Sequence, residues 1–172
     1  ALLLGNTPHF IISLYATMRL GATAIPVNPI YTPDEISYII QNGDVKAVIA
    51  LDMLLPLVEV GVKAFPQVEA YIVCETTPDV GDKVAALSDA AKAKTKLFSH
   101  VIAGAQSFAE PVEVNNDDTA VILYTSGTTG HPKGAMLSHG NLYSNARDTG
   151  DYLQMSATDR VITTLPVFHV FA

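Results

Sequence analysis

The chain is poor in charge and in cysteine. Charged residues make up 16% of its 172 residues, against about 25% in an ordinary soluble domain. Hydrophobic residues make up 49%, and this composition excludes an intrinsically disordered chain, which combines low hydrophobicity with high charge. The single cysteine, Cys74, excludes an internal disulfide framework and a cysteine-built zinc site, and it favours a reducing compartment.

Long hydrophobic runs and an excess of positive charge are also missing. Gly5–Pro8 breaks the best apolar run, well short of the roughly 20 residues that a membrane span needs. Ten basic and seventeen acidic residues give a net charge of −7, so we expect no nucleic-acid partner. Both ends, Ala1–Leu4 and Val170–Ala172, are apolar. We therefore expect a piece of a longer chain, with uncovered apolar surface through which the piece self-associates.

Strands and helices are predicted to alternate along the first hundred residues. The predicted strands are Leu2–Leu4, Ala22–Asn28 with an interruption at Pro26, Lys46–Leu51 and Ala70–Glu75. The predicted helices run from a Thr7 cap to Gly21, from a Thr32/Glu35 capping box to Gly43, over Met53–Ala64 and over Lys83–Lys94. Because parallel strands need crossover helices, this order predicts an α/β fold with a mostly parallel sheet flanked by helices.

The rest of the chain has a different organisation. Residues 99–118 lack sustained periodicity and are predicted to be a linker or long loop. Beyond them the predicted elements are a strand at Thr119–Tyr124, a strand at Ala135–Ser138, a helix at Gly140–Tyr152 and a strand at Arg160–Leu165. The chain thus divides into an α/β subdomain (1–98), a connection (99–118) and a strand hairpin with a following helix and strand (119–172).

Tyr124–Gly134 carries the chemistry. This segment is rich in hydroxyl side chains and glycine, and Gly127, Gly130 and Gly134 permit positive φ and let backbone N–H groups converge on a ligand. Side-chain donors come from Thr125, Ser126, Thr128 and Thr129, and Lys133 adds a positive charge. Donors without a local carboxylate predict a receptor for an anion such as a polyphosphate; the alternative is a hydroxyl-rich hairpin turn.

The segment is not a Walker A loop. That loop needs Gly, four residues, Gly-Lys-Ser/Thr and then a helix. Here Gly127 and Gly130 are three positions apart, Lys133 follows a proline, and Ala135–Ser138 is extended in the prediction. We expect a strand–loop–strand hairpin whose loop covers the phosphates and moves during turnover.

Tyr124–Gly134 resembles the phosphate-loop signature of the adenylate-forming superfamily, which includes acyl-CoA synthetases, peptide-synthetase adenylation domains and luciferases; His131 stands at a variable position. The resemblance extends over Ser138–Asn141, Leu165–His169 and Gly21–Pro29, and it is strongest to medium- and long-chain fatty acid–CoA ligases. It implies that residues 1–172 are a partial N-terminal AMP-binding domain whose C-terminal parts are absent.

The resemblance implies an ATP-dependent reaction in two steps. A fatty acid carboxylate attacks the α-phosphate of ATP to give acyl-AMP and pyrophosphate, and coenzyme A then displaces AMP. Thr125, Ser126, Gly127, Thr128, Thr129, Gly130 and Lys133 would bind the ATP phosphates. Thr125 would also approach Mg²⁺, and His169 would bind the substrate carboxylate or line its pocket, with a core histidine as the alternative. The family's catalytic lysine has no match, so this chain alone is expected to be inactive.

Two other functions stay open. One is a peptide-synthetase adenylation domain or an aryl-CoA ligase, and the other is a non-catalytic nucleotide-binding module. We expect small-molecule substrates and a cytoplasmic location, in solution or peripheral to a membrane. Tyr124 is predicted to pack beneath the loop rather than act as an acid, and Cys74 to be a buried small hydrophobe.

Overall fold

The computed structural model describes residues 1–106, 112–125 and 132–169. Its strands are β1 (Leu2–Leu3), β2 (Ala47–Leu51), β3 (Ala70–Cys74), β4 (Thr95–Leu97), β5 (Thr119–Thr125) and β6 (Lys133–Ser138). Its helices are α1 (Pro8–Arg19), α2 (Pro33–Asn42), α3 (Leu55–Ala64), α4 (Val80–Ala85), α5 (Asp89–Lys94), α6 (Phe98–Ala103) and α7 (His139–Tyr152), with a 3₁₀ turn at Asp52–Leu54. Across these ranges, none of the helices is long and apolar enough to cross a membrane.

A parallel sheet of four strands in the order β1-β2-β3-β4 forms the centre of residues 1–106, which we call the sheet region. Alternate side chains point to opposite faces. Val48 and Tyr71 pack into one buried cluster with residues of α2 and α3. Leu2 and Leu4 pack into another with Phe10 of α1. Helices thus cover both faces, and the predicted α/β fold with a parallel sheet is confirmed.

The segment predicted as an interrupted strand, Ala22–Asn28, links this sheet to the rest of the chain. The N–H of Ala24 donates to the Ala120 carbonyl at 2.9 Å, and the N–H of Leu2 donates to the Ile25 carbonyl at 2.9 Å. The segment forms only isolated β-bridges, one between Pro26 and Leu2 of β1 and one between Ala24 and Val121 of β5. Pro26 has no N–H to donate, so the pairing with β5 cannot continue past it.

Helix boundaries follow the capping signals. Thr32 and Glu35 form the complete predicted capping box at the start of α2. Gly21 follows α1 with φ of +68°, a left-handed conformation that favours glycine. Thr7 occupies the N-cap of α1 as predicted, but its hydroxyl makes no capping hydrogen bond.

Three predicted segments differ from the structure. The helix expected over Lys83–Lys94 is two short helices, because the Ser88 hydroxyl caps α5 and the Ser88 N–H donates to Glu59. Helix α6 lies in the first part of the stretch predicted as a linker. The strand expected at Arg160–Leu165 is wrong: these residues are exposed and irregular, since no strand among the described residues lies alongside to pair with them.

Candidate functional site

The chemistry-bearing segment joins two antiparallel strands. β5 and β6 pair with Thr125 opposite Lys133 and Tyr124 opposite Gly134. The predicted strand–loop–strand hairpin is therefore confirmed, and it differs from a Walker A loop, which runs from a strand directly into a helix. The residues between the strands, including the predicted phosphate-binding positions Ser126, Gly127, Thr128, Thr129 and Gly130, lie outside the described residues.

Gly134 is needed for close packing rather than for its backbone conformation. It lies within β6, and its φ is not positive. A Cβ at Gly134 would lie 2.8 Å from Cγ2 of Ile122 and 3.1 Å from Cζ of Tyr124. The two strands approach so closely here that only glycine fits beneath the tyrosine ring.

Tyr124 fastens the base of the hairpin to the sheet region. Its phenol O–H donates to Oδ1 of Asn42, the last residue of α2, at 2.6 Å. Burial, with a smaller effect from Tyr38, raises the pKa of Tyr124. A phenol held this way is a poor acid at neutral pH, which agrees with the predicted packing role.

A cavity of about 140 Å³ lies beside the end of β5. Its lining residues are Pro26, Asn28, Tyr31, Leu123, Tyr124, Thr125, Phe168 and His169. Two predicted site residues distant in sequence, Thr125 and His169, therefore share one cavity, and Lys133 is exposed on the strand opposite Thr125. His169 is exposed rather than a core histidine, because the turn that carries it lies at the surface.

Sequence reasoning missed the residue that holds this turn. Asn6, just after β1, donates from Nδ2 to the Leu165 carbonyl at 2.8 Å. Its Oδ1 accepts from the Val167 N–H, also at 2.8 Å. The turn closes with the His169 N–H donating to the Pro166 carbonyl at 2.9 Å. A polar side chain at the carboxyl end of the first predicted parallel strand was the available signal.

The donor set suits an anion. Thr125, which has a hydroxyl, pairs with Lys133, which has an ammonium group, and Thr125 and the exposed His169 line the same cavity. Within the ranges that the structure describes, no cluster of three or more His, Cys, Asp or Glu side chains could hold a metal ion.

The buried nucleophile Cys74 belongs to the core. The cysteine is fully buried, and burial, with smaller effects from Glu75 and Asp52, raises the pKa of its thiol to about 12. The thiolate is the reactive form of cysteine, so this side chain is inert at neutral pH. The prediction of a small buried hydrophobe is confirmed.

Comparison with known proteins identifies the class of this fold and hairpin. A model of the AMP-binding enzyme family matches residues 1–172, and the chain belongs to that family. It is 32% identical over 174 residues to the long-chain-fatty-acid–CoA ligase FadD13 of Mycobacterium tuberculosis, covering 100% of this chain and 31% of the relative. It is also 32% identical over 184 residues to 4-coumarate–CoA ligase 1 of Arabidopsis thaliana, covering 99% and 30%.

Solved structures agree on the fold. A long-chain-fatty-acid–CoA ligase (FadD1) from Archaeoglobus fulgidus superposes with a TM-score of 0.75 at 28% identity, covering 98% of this chain and 30% of that one. ATP-bound MatB from Rhodopseudomonas palustris superposes with a TM-score of 0.67 at 30% identity, with the same coverage of 98% and 30%. The chain thus spans about 30% of the length of these four proteins.

Proposed function

We propose that this chain forms part of an AMP-forming acid–CoA ligase. The enzyme would activate a carboxylic acid with ATP as acyl-AMP and transfer the acyl group to coenzyme A. The observation that supports this function is the cavity shared by Thr125 and His169 at the mouth of the hairpin. We further propose a long-chain fatty acid as the substrate, with an aryl acid as the second candidate, since both a fatty-acid ligase and a 4-coumarate ligase are 32% identical to the chain.

The hairpin would bind the triphosphate of ATP. Thr125 through Gly130 would donate hydrogen bonds to the β- and γ-phosphates, and the Lys133 ammonium would neutralise the charge that develops as pyrophosphate departs. Mg²⁺, when bound, would offset the negative charge of the phosphates. Thr125 Oγ1 would be its ligand from this chain. Neither acyl-AMP formation nor transfer to coenzyme A requires a protein nucleophile, in agreement with the buried, inert thiol of Cys74.

His169 would receive the carboxylate end of the acid. Its imidazole lies at the rim of the same cavity as Thr125, so a carboxylate between them would face the phosphate side. Holding both reactants in one small cavity supplies the proximity on which adenylate formation depends. We place no catalytic residue in this chain.

The chain would supply part of an N-terminal domain, with a sheet subdomain (1–98), a connection (99–118) and the hairpin portion (119–172). We infer that the isolated chain is inactive, because it spans 31% of the length of FadD13 and contains the phosphate loop without a catalytic lysine. We place the protein in the cytoplasm, in solution or at a membrane surface.

ATP–pyrophosphate exchange tests the proposal. The full-length protein would be assayed with a panel of fatty acids of increasing length and with cinnamic and benzoic acids. Exchange that depends on a long-chain acid supports the fatty-acid ligase, and exchange with aryl acids alone favours the second candidate. If the protein bound ATP but showed no exchange with any carboxylate, the ligase function would be contradicted. A non-catalytic nucleotide-binding module would then be supported.

Lys133→Ala tests the role of the hairpin. We expect adenylation to fall by about 100-fold, since a charge that contacts the transferring phosphates contributes roughly 3 kcal/mol in the transition state. Thioester formation from preformed acyl-AMP should change less than about threefold. Lys96→Ala removes an exposed lysine from β4 and serves as the matched control. Equal losses in both half-reactions would show that Lys133 acts through folding.

The exposed apolar surface supports self-association of the isolated chain. Large apolar side chains are exposed on α1, on α7 and after it, with Tyr152 at 87% and Ile162 at 85%. Patches of this kind mark contact surfaces. Sedimentation over a tenfold range of concentration should show a rising mass, whereas a constant monomer mass would contradict this inference.

A further inference from the structure

The side chain of Asn6 joins the end of β1 to the turn that carries His169. It forms one hydrogen bond as a donor, to the Leu165 carbonyl, and one as an acceptor, from the Val167 N–H, both at 2.8 Å. These backbone groups lie on either side of Pro166. A carboxamide offers a donor and an acceptor in one plane. The Asn6 side chain therefore bonds to the backbone of the turn as the backbone of a neighbouring strand would.

This connection bears on a part of the chain that is otherwise weakly held. Residues 151–166 are exposed throughout, and the bonds between Ser156 and Asp159 are local. The turn regains contact with the body of the protein at Val167 and Phe168, which pack against the cluster that contains Leu4. Asn6 therefore acts where the exposed segment returns to the sheet, and the bonded Val167 comes immediately before the cavity-lining Phe168 and His169.

The direction of the turn depends on both bonds. The bond to the Leu165 carbonyl holds its entry, the bond from Val167 holds its middle, and the bond from the His169 N–H to Pro166 closes it. With the backbone fixed at Leu165 and Val167, His169 has little freedom to leave the rim of the cavity. Without the first two bonds, the position of the turn against the sheet would depend more on the packing of Val167 and Phe168.

We propose that Asn6 is a positioning residue, which holds the His169 turn against β1 so that the imidazole lies at the cavity rim beside Thr125. Its effect on the reaction rests on the proposed ligase function. Its effect on the turn does not, and the two are measured separately.

The first experiment follows the turn in the 172-residue chain by NMR. Asn6→Ala should lower the hydrogen-exchange protection of the Val167 amide by about tenfold, the loss expected when one backbone partner is removed, and should shift the ring resonances of His169. Asn145→Ala changes an exposed asparagine on α7 and should do neither. Unchanged Val167 protection and unchanged His169 resonances in Asn6→Ala would overturn the proposal.

Asn6→Asp keeps the shape of the side chain. It therefore provides a second test if the Asn6→Ala variant does not fold. At pH 7 its carboxylate can still accept from Val167, but it has no proton to donate to the Leu165 carbonyl. Protonation restores that donor, so the His169 resonances should return toward their wild-type positions as the pH falls through the carboxyl pKa. A His169 spectrum equal to that of wild type at every pH would contradict the need for a donor at Asn6.

The second experiment uses ATP–pyrophosphate exchange by the full-length protein. Asn6→Ala should raise the KM for the carboxylic acid about tenfold and leave the KM for ATP within twofold. In a His169→Ala background the same change should add less than twofold, because its effect passes through His169. A tenfold effect that persists without His169, or an equal rise in both KM values, would overturn the positioning role. Absence of exchange in the wild-type protein would refute the ligase function, while the NMR result would still decide whether Asn6 holds the turn.

Discussion

The sheet region and the hairpin region, residues 112–125 and 132–169, are stabilised in different ways. Of the buried apolar residues in the described part of the chain, only Ala120 and Val121 belong to the hairpin region. Helix α7 has no buried residue. The sheet region is held by apolar burial and the hairpin region by hydrogen bonds within its own elements. The candidate site lies on the less buried region, as binding segments commonly do.

The two regions meet through the apolar cluster that contains Leu4, to which Ala120 and Val121 belong, and through specific hydrogen bonds. Ala24 pairs with β5 through its N–H and carbonyl. The Tyr124 phenol reaches Asn42 on α2, and Asn6 holds the turn around Pro166. Asn42 is the last residue of α2, and Asn6 lies between β1 and α1. The buried region thus serves as the platform that orients the exposed one.

The largest difference between the regions should appear on truncating a leucine. Leu3 in β1 is 0% exposed and Leu153 after α7 is 60% exposed. We expect Leu3→Ala to lower the free energy of unfolding by about 3 kcal/mol, since a fully buried leucine loses both transfer energy and packing. Leu153→Ala should change it by less than about 0.5 kcal/mol, as surface changes do. Urea unfolding followed by circular dichroism measures both.

A large cost for Leu153→Ala measured on the monomer would break the comparison. At concentrations at which the chain self-associates, a cost is expected, because a second copy would cover the surface after α7. Repeating the measurement at a tenfold lower concentration distinguishes that case, because stability gained by association depends on concentration.

A smaller difference is expected for a carboxylate in each region. Asp52, 4% exposed, accepts four hydrogen bonds from the N–H and hydroxyl groups of Thr76 and Thr77. Asp52→Ala should cost about 2 kcal/mol at pH 7, because it removes the buried charged acceptor of these four hydrogen bonds. Asp148→Ala removes an exposed ion pair with Arg147 and should cost less than about 0.5 kcal/mol.

The cost of Asp52→Ala should also depend on pH. Burial on its own raises the pKa of the Asp52 carboxyl, but the hydrogen bonds from Thr76 and Thr77 outweigh it and hold the pKa below its ordinary value. A carboxyl whose pKa is lower in the folded state stabilises the protein above its unfolded pKa, near 3.9, and loses that contribution as the pH falls through the folded pKa. The difference between wild type and Asp52→Ala should therefore shrink below about pH 4; a constant difference from pH 7 to pH 3 would contradict this assignment.

Local signals in the sequence predicted the sheet region well. The capping box at Thr32, the left-handed Gly21 and the alternation of strands and helices depend on neighbouring residues. Predictions failed where the outcome depends on distant partners. Arg160–Leu165 has strand-like residues without a neighbouring strand, and the Lys83–Lys94 helix breaks because Ser88 bonds to Glu59.

The candidate site divides in the same way. The hairpin and its register follow from the Tyr124–Gly134 segment, which the sequence displays directly. The approach of His169 to Thr125 depends on the fold, since Asn6 brings the two together from a position far away in the chain. The roles assigned to Thr125, Lys133 and His169 stay predictions.

The smallest expected difference between the two regions comes from a pair of capping boxes, one in each region. Thr32 caps α2 with Glu35, and Ser138 caps α7 with Asn141. Removing either hydroxyl should cost its helix about 1 kcal/mol. Helix α2 buries Ile36, Ile39 and Ile40. Destabilising this helix therefore destabilises the whole sheet region.

We therefore expect Thr32→Ala to lower the global free energy of unfolding by about 1 kcal/mol. Ser138→Ala should leave that value nearly unchanged and speed hydrogen exchange only in α7, because a helix without buried residues opens locally before the protein unfolds. Hydrogen exchange resolved by residue separates the two outcomes. Equal global losses would show that the two regions unfold as one cooperative unit, and the difference in burial would then not divide the molecule into independently opening parts.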